Sequence, residues 1–388
     1  MKSYSEEQDT IIAVIQELIP LGLRAVGEKL QQEVQELAGK RYEHGGSDNS
    51  RWGFQPGSVY LRDQKLPIMV PRVRNTRSKT EVSLKTYEKF QQPFDGDRQT
   101  FLKLLNGLST HKYRQSAEFV PEVFGISASN LSKRFHFQTA KRLEELQTRS
   151  LAGHDFVAVF VDGKRYAKDG LLITLGVTLS GVKMILGIEQ IHSENAKAIE
   201  QFFQKLIDRG LAFEEGILFI IDGSKGIKRA VEQRFDIYAL IQRCQWHKRE
   251  NVIAYLDEAQ QELCRRRMQE AYGKTTYTEA QRQLEKLDHE LSKINPSAAA
   301  SLTEGLEETL TLHRLGLAPE LGKSLNTTNC IESVMSQLGQ YTDKVDRWHN
   351  GQQILRWTAA GLLQIEGRLN RIYGARYLKL LRFKIRHW

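Results

Sequence analysis

Two stretches of the chain are apolar almost without a break, FVAVFVDG (156–163) and GILFIIDG (216–223), and each closes on Asp-Gly. Runs this short, rich in Val, Ile and Phe and bounded by turn residues, read as strands buried on both faces. After the first run come LLITLGVTL and VKMILGIEQI, joined by a turn at Ser180-Gly181, so the first three strands are expected to form an antiparallel meander. A helix beginning after Ser193, with Ile199, Phe202, Phe203 and Leu206 on one face, leads into the fourth strand. A helix over 225–235 and a strand YALIQRC (238–244) follow. A right-handed helical crossover then lays strand four parallel beside strand one.

The flanks carry a different period. Ile11, Ile12, Val14, Ile15, Leu18, Ile19, Val26, Leu30, Val34 and Leu37 recur at helical spacing and predict two short helices broken near Pro20-Leu21-Gly22. From Lys40 the pattern becomes Gly-rich and polar, then shows two alternating runs around Arg62-Asp63, a hairpin. Residues 97–149 are helical again. Within them SAEFVPEVFGISASNLSKRFHFQTAKRLEELQ has the layout of a helix-turn-helix: a first helix to about Phe124, a turn at Gly125-Ile126, Ser127 as N-cap, and a second helix presenting Asn130, Lys133 and Arg134. Plain helix packing accounts for the same pattern. Residues 248–318 read as helical throughout, interrupted at Pro296, and 327–388 as helical once more. The expected organisation is a helical segment (1–40), a basic β-ribbon (41–96), a helical DNA-binding region (97–152), the first part of an α/β core (153–250), a helical insertion (251–319) and the rest of the core with basic C-terminal helices (320–388).

Charge narrows the partner. The 388-residue chain carries a formal net charge of +9, which points first to nucleic acid and second to a membrane surface. Between Lys40 and Lys89 stand eleven Lys/Arg against five acids, as expected of a ribbon tracking phosphates with residues such as Arg72 and Arg74. The most apolar run, 171–188, holds Lys183 and a turn, so no membrane span is expected. The acidic N-terminal segment argues against a secretory signal, and three scattered cysteines suit a reducing cytoplasm.

The chemistry gathers around acids. Asp162 and Asp222 close matching buried strands, where a carboxylate is unfavourable without a partner, although Asp-Gly also opens turns. If the two strands lie side by side, both carboxylates project from one edge, and a hard cation such as Mg2+ relieves their repulsion. A third acid is offered by LNTTNCIESVMSQLG (325–339). There Asn329 and Glu332 have capping-box spacing, and the alternative is that Glu332 completes the metal site. CQWHKREN (244–251) has half a zinc pattern in Cys244 and His247, but Cys264 and His289 are unsuitably placed as a second pair. His247 is thus either a phosphate-facing residue at the site's edge or part of a strand-to-helix junction. Lys248 and Arg249 are candidate phosphate contacts, and Trp246, Trp348 and Trp357 are candidates for base stacking or for packing.

In this order, Asp162 in VDG, Asp222 in IDGSKG, QRCQWHKREN and NTTNCIES resemble the signature of the Mutator-type DDE transposases of bacterial insertion sequences. The likeness extends from RWGFQPGSVYL and VPRVRN to DRWHNGQQILRW. It implies an RNase H-like mixed five-stranded sheet with an all-helical insertion before the glutamate, and Asp162, Asp222 and Glu332 as ligands of Mg2+, with Mn2+ able to take its place. It implies cleavage and strand transfer at terminal inverted repeats of double-stranded DNA, a dimer or larger assembly on DNA, and no membrane. The 110 residues between Asp222 and Glu332 are too many for a loop and match a helical insertion. A DNA-binding regulator without catalysis and a related nuclease are the competing readings.

Overall fold

The computed structural model describes residues 2–41, 48–61, 64–91, 98–106, 128–166, 169–191, 195–345, 348 and 350–388. They form two compact units, the described residues up to Leu104 with 128–135, and residues 105–106 with the described residues from His136 to Trp388.

In the first unit the N-terminal periodicity produces one helix, Lys2–Ala38, with Pro20 inside it, and not the two short helices expected. Proline removes one backbone donor and kinks a helix, but it does not end one whose following turns have a face to bury. Val26, Leu30 and Val34 supply that face and pack on Val59, Val70 and Val73 of a ribbon, with Leu84. The ribbon pairs β1 (Asn49–Leu61) antiparallel with β2 (Gln64–Asn75), and β3 (Glu81–Val82) adds a short third strand to β2. A register shift between Arg51 and Phe54 marks a bulge, and Gly53, at φ +80°, sits within it. The two alternating runs are thus the hairpin that the sequence predicts.

The second unit is an α/β core. β4 (Phe156–Tyr166), β5 (Asp169–Thr178) and β6 (Lys183–Ile191) form the antiparallel meander, while β7 (Ile217–Ile221) and β8 (Ala239–Arg243) run parallel to β4. The order is β6-β5-β4-β7-β8, a mixed five-stranded sheet. All five residues of β7 are buried, which is why that segment reads as a continuous apolar run. Phe156, Val159 and Val161 pack with Phe219, with Ile199, Phe202, Phe203 and Leu206 of helix Ala196–Asp208, and with Phe235 at the end of helix Lys225–Phe235.

Two features fix the core's edges. Arg382, on helix Leu378–Arg386, is buried; its guanidinium donates to the carbonyls of Phe156 and Gly216 and pairs with Asp155, so it pins the starts of β4 and β7 together. The segment after β8 enters the helical insertion, whose own core includes Val252, Met268, Leu284, Leu291 and Leu302. The insertion returns to the sheet: the Gln242 and Gln245 amides both donate to Thr309 O, at 2.8 and 2.9 Å, and Thr311 Oγ1 donates to Ile241 O at 2.6 Å. Pro296, where an interruption is expected, is the first residue of helix Pro296–Thr303, a position that needs no N–H. Among the described residues no helix is long and apolar enough to cross a membrane.

Candidate active site

The register of β4 against β7 positions the first two acids. Val161 pairs with Ile221 in parallel, so the next residue of each strand, Asp162 and Asp222, stand abreast at the same end of adjacent strands, about 5 Å apart by strand spacing. Asp162 is 8% exposed and accepts a hydrogen bond from Gly163 N at 2.8 Å. Asp222 accepts one from Ser224 N at 2.9 Å, and Ser224 in turn caps the helix that follows. Burial, and then the Asp222 charge beside it, push the Asp162 carboxyl up to about 7, with opposition from Gly163 N–H and His247. This is a carboxylate pair short of positive charge, the condition a divalent cation relieves, so the two residues fit such an ion.

Glu332 lies in the first turn of helix Asn329–Thr342, which packs on β4; Lys164 Nζ of that strand donates to Met335 O at 3.2 Å. The N-cap of this helix is Thr328, one residue before the Asn329 of the capping-box reading, and no side-chain cap bond is made. The buried Thr328 hydroxyl turns instead to three functional side chains. It contacts Cys244 Sγ and His247 Nδ1, each at 3.3 Å, and donates to Glu332 Oε1. Thr328 N also donates to Cys244 Sγ at 3.4 Å. Sequence reasoning left Thr328 unremarked; its signal is only a hydroxyl four residues before the acid, one helical turn away.

Cys244 joins this group to the aspartates, because its N–H donates to Ile221 O at 2.8 Å, the residue before Asp222. It follows β8 as the N-cap residue of helix Gln245–Ile253, so His247 returns one turn later beside it. Burial pushes the Cys244 thiol up, but hydrogen bonds with His247 and Thr328 bring it net below its ordinary value. The bond with Cys244, outweighing burial and helped by the charges of Glu332 and Asp162, raises His247 to about 9, so the imidazole is a cation at neutral pH.

The ligand atoms of Cys244, His247 and Glu332 all lie within 4.8 Å of one another, so the third donor that Cys-x-x-His lacks in the sequence is Glu332. Sulfur, nitrogen and oxygen together suit a softer ion than Mg2+. Each of the three nevertheless touches the Thr328 hydroxyl, which already links them through hydrogen bonds.

Several expected DNA contacts are placed differently. Lys248 is 0% exposed, and its ammonium donates to the carbonyls of Ser301 and Glu304 in the insertion; burial lowers it to about 8. That geometry removes it as a phosphate contact. The signal was present in helical spacing, since Gln245, Lys248 and Val252 share the helix's buried face. Arg249 is largely covered and pairs with Glu250 at 3.1 Å. Arg72 is held by Glu81 at 2.7 Å, and Arg74 Nε donates to Lys79 O at 3.0 Å. Lys133 is exposed on helix Ala128–Thr148; Asn130 and Arg134 lie on the same helix, their side chains outside the described residues, as are the first helix and turn of the helix-turn-helix reading. Arg165 and Lys225 are exposed beside the aspartates. Trp246 is exposed and packs edge-on to His247, whereas Trp348 packs against Tyr166 and Trp357.

Sequence reasoning also missed Arg243. Its buried guanidinium donates to Glu304 O and Oε2, at 2.9 and 2.7 Å, and lies between two glycines with positive φ, Gly223 and Gly305. A Cβ on either glycine would stand 2.4 Å from it. The loop that carries Asp222 is thereby packed against the end of the insertion.

A mixed α/β sheet that collects carboxylates and a histidine at one end of its central strands defines a protein with a candidate metal-holding site. The chain belongs to the Mutator family of transposases, whose family model matches residues 2–366. It is similar to the transposase for insertion sequence element ISRM5 of Rhizobium meliloti, with 26% identity across 96% of this chain and 95% of that protein. It is also similar to the transposase for IS406 of Burkholderia multivorans, 26% identical over 93% and 95% of the two chains, and to that for IS905 of Lactococcus lactis, 24% identical over 86% and 85%.

Proposed function

We propose that this insertion-sequence transposase is a DDE enzyme with an RNase H-like core, which binds the terminal inverted repeats of its element and cleaves and rejoins DNA strands with Mg2+, or Mn2+ in its place. The observation that carries the reading is the parallel register that sets Asp162 beside Asp222, with Glu332 brought to the same region by a helix packed on β4. Asp162, Asp222 and Glu332 would hold the metal. When bound, it activates the attacking oxygen and stabilises the leaving one.

The chain's own groups have separable tasks. Asp162 and Asp222 supply charge from the ends of the two adjacent central strands, and the burial of Asp162 limits how far bulk water weakens it. Thr328 fixes the Glu332 carboxylate through one hydrogen bond and faces His247 on its other side. His247, protonated at neutral pH, puts a positive charge where a phosphodiester would approach. Asn130, Lys133, Arg134, Arg72, Arg74 and Arg249 remain the DNA contacts of this reading. A dimer or larger assembly forms on DNA because two element ends are processed together.

The test uses purified chain, a labelled duplex carrying the element's ends, and Mg2+, beside Asp162→Asn, Asp222→Asn and Glu332→Gln. Nicked and joined products from the wild type alone are expected. Binding without Mg2+-dependent cleavage would defeat the enzyme reading. Cleavage without joining would favour a nuclease, and full activity in the three variants would remove the triad.

A further inference from the structure

The ribbon has two apolar faces, and only one is buried. Val59, Val70 and Val73 point into the first unit's core. On the opposite face Trp52, Phe54 and Met69 are 51%, 56% and 55% exposed. Phe54 pairs with Pro71 and Pro56 with Met69, so Phe54 and Met69 are diagonal neighbours across the two strands, and Trp52 follows them in the bulge between Arg51 and Phe54. Three large apolar side chains together on the outside of a two-stranded ribbon mark a surface that meets a partner.

Charge selects the partner. Residues 49–89 carry nine Lys/Arg against three acids, and the Arg74 guanidinium lies on the Trp52 ring, 4.7 Å from its centroid, so a cation borders these side chains directly. A second copy of the chain, joined face to face, would set these like charges against each other. A polyanion carrying an apolar interior suits both parts of the surface. A two-stranded ribbon fits the major groove of B-form DNA, where the thymine methyls offer apolar contact and phosphates line the rim.

We infer that the Trp52, Phe54 and Met69 face of the ribbon lies in the groove of duplex DNA and contacts base edges, with the basic residues around it on the backbone. The inference rests on the DNA-binding reading above and assigns its base contacts to apolar side chains on the ribbon, not to the arginines alone.

All three side chains are exposed, so replacing them leaves the core intact. The test measures the affinity of the full chain for a fluorescent duplex spanning the ends of the element that encodes it, over a range of salt. Trp52→Ser and Phe54→Ser are each expected to weaken binding by about tenfold or more, with the salt slope unchanged, because no phosphate contact is lost. Circular dichroism and the sedimentation of the DNA-free chain should match the wild type. Unchanged affinity in both variants overturns the inference. So does a change in the DNA-free chain's oligomeric state, which would assign the face to a second copy. If the wild type binds no duplex at all, the function proposed above fails and this surface falls with it, a result distinct from selective loss in the variants.

Discussion

Asp162→Asn should make the metal-free protein more stable at alkaline pH. The wild-type carboxyl titrates near 7 in the folded chain against an ordinary value of 3.8, mainly through burial and then through Asp222. Below pH 4 the group is protonated in both states and contributes nothing to the difference. Between these values the folded chain binds more protons than the unfolded chain, so stability falls as pH rises, and above 7 the full penalty applies. A displacement of about 3 units corresponds to about 4 kcal/mol, an upper figure because the sheet edge can admit water. Asparagine keeps the oxygen that accepts from Gly163 N and cannot ionise. In EDTA, urea unfolding of the variant and wild type should coincide near pH 4, separate progressively, and differ by up to about 4 kcal/mol at pH 8. Added Mg2+ should stabilise the wild type and narrow the gap. A difference that does not vary with pH, or a variant weaker than wild type at pH 8, would refute the account of Asp162 as a destabilising, cation-ready charge.

Because protons and metal compete for Asp162, the Mg2+ concentration that gives half-maximal DNA cleavage should rise about fivefold from pH 7 to pH 6 and approach a rise of about tenfold per unit at lower pH, as read from metal titrations across that range. Thr328→Val should lower cleavage by about tenfold or more while leaving DNA affinity intact, and Thr328→Ser should restore most of it, since only the hydroxyl reaches Glu332. Gly305→Ala should destabilise the protein by about 1–3 kcal/mol in thermal unfolding, because φ is +66° and a Cβ would meet Arg243; Gly367→Ala, where nothing lies within 4 Å, is the neutral control.

The sheet was legible because its strands are either buried on both faces or joined by short turns, and both conditions leave plain marks in an apolar pattern. The register of Asp162 and Asp222 followed from topology, since a right-handed crossover admits few arrangements. The surroundings of Glu332 did not follow. Its helix has Thr328 and not Asn329 at the N-cap, and what orients its carboxylate is a hydroxyl whose partners, Cys244 and His247, are more than eighty residues away. Lys248 was misread for a related reason. A lysine beside His247 and Arg249 reads as a phosphate contact until tertiary packing covers it, and here two carbonyls of the insertion replace its water. Pro20 gave the wrong helix boundary because local geometry was weighed without the ribbon that rewards the helix for continuing.

Arg382 joins parts of the chain that stand far apart in sequence. Its guanidinium ties together the roots of β4 and β7, the strands whose far ends carry the two aspartates, from a helix that begins well after Glu332. A stop or frame shift falling between Glu332 and that helix would leave all three acids of the candidate site present but remove the clasp that holds the central strands in register.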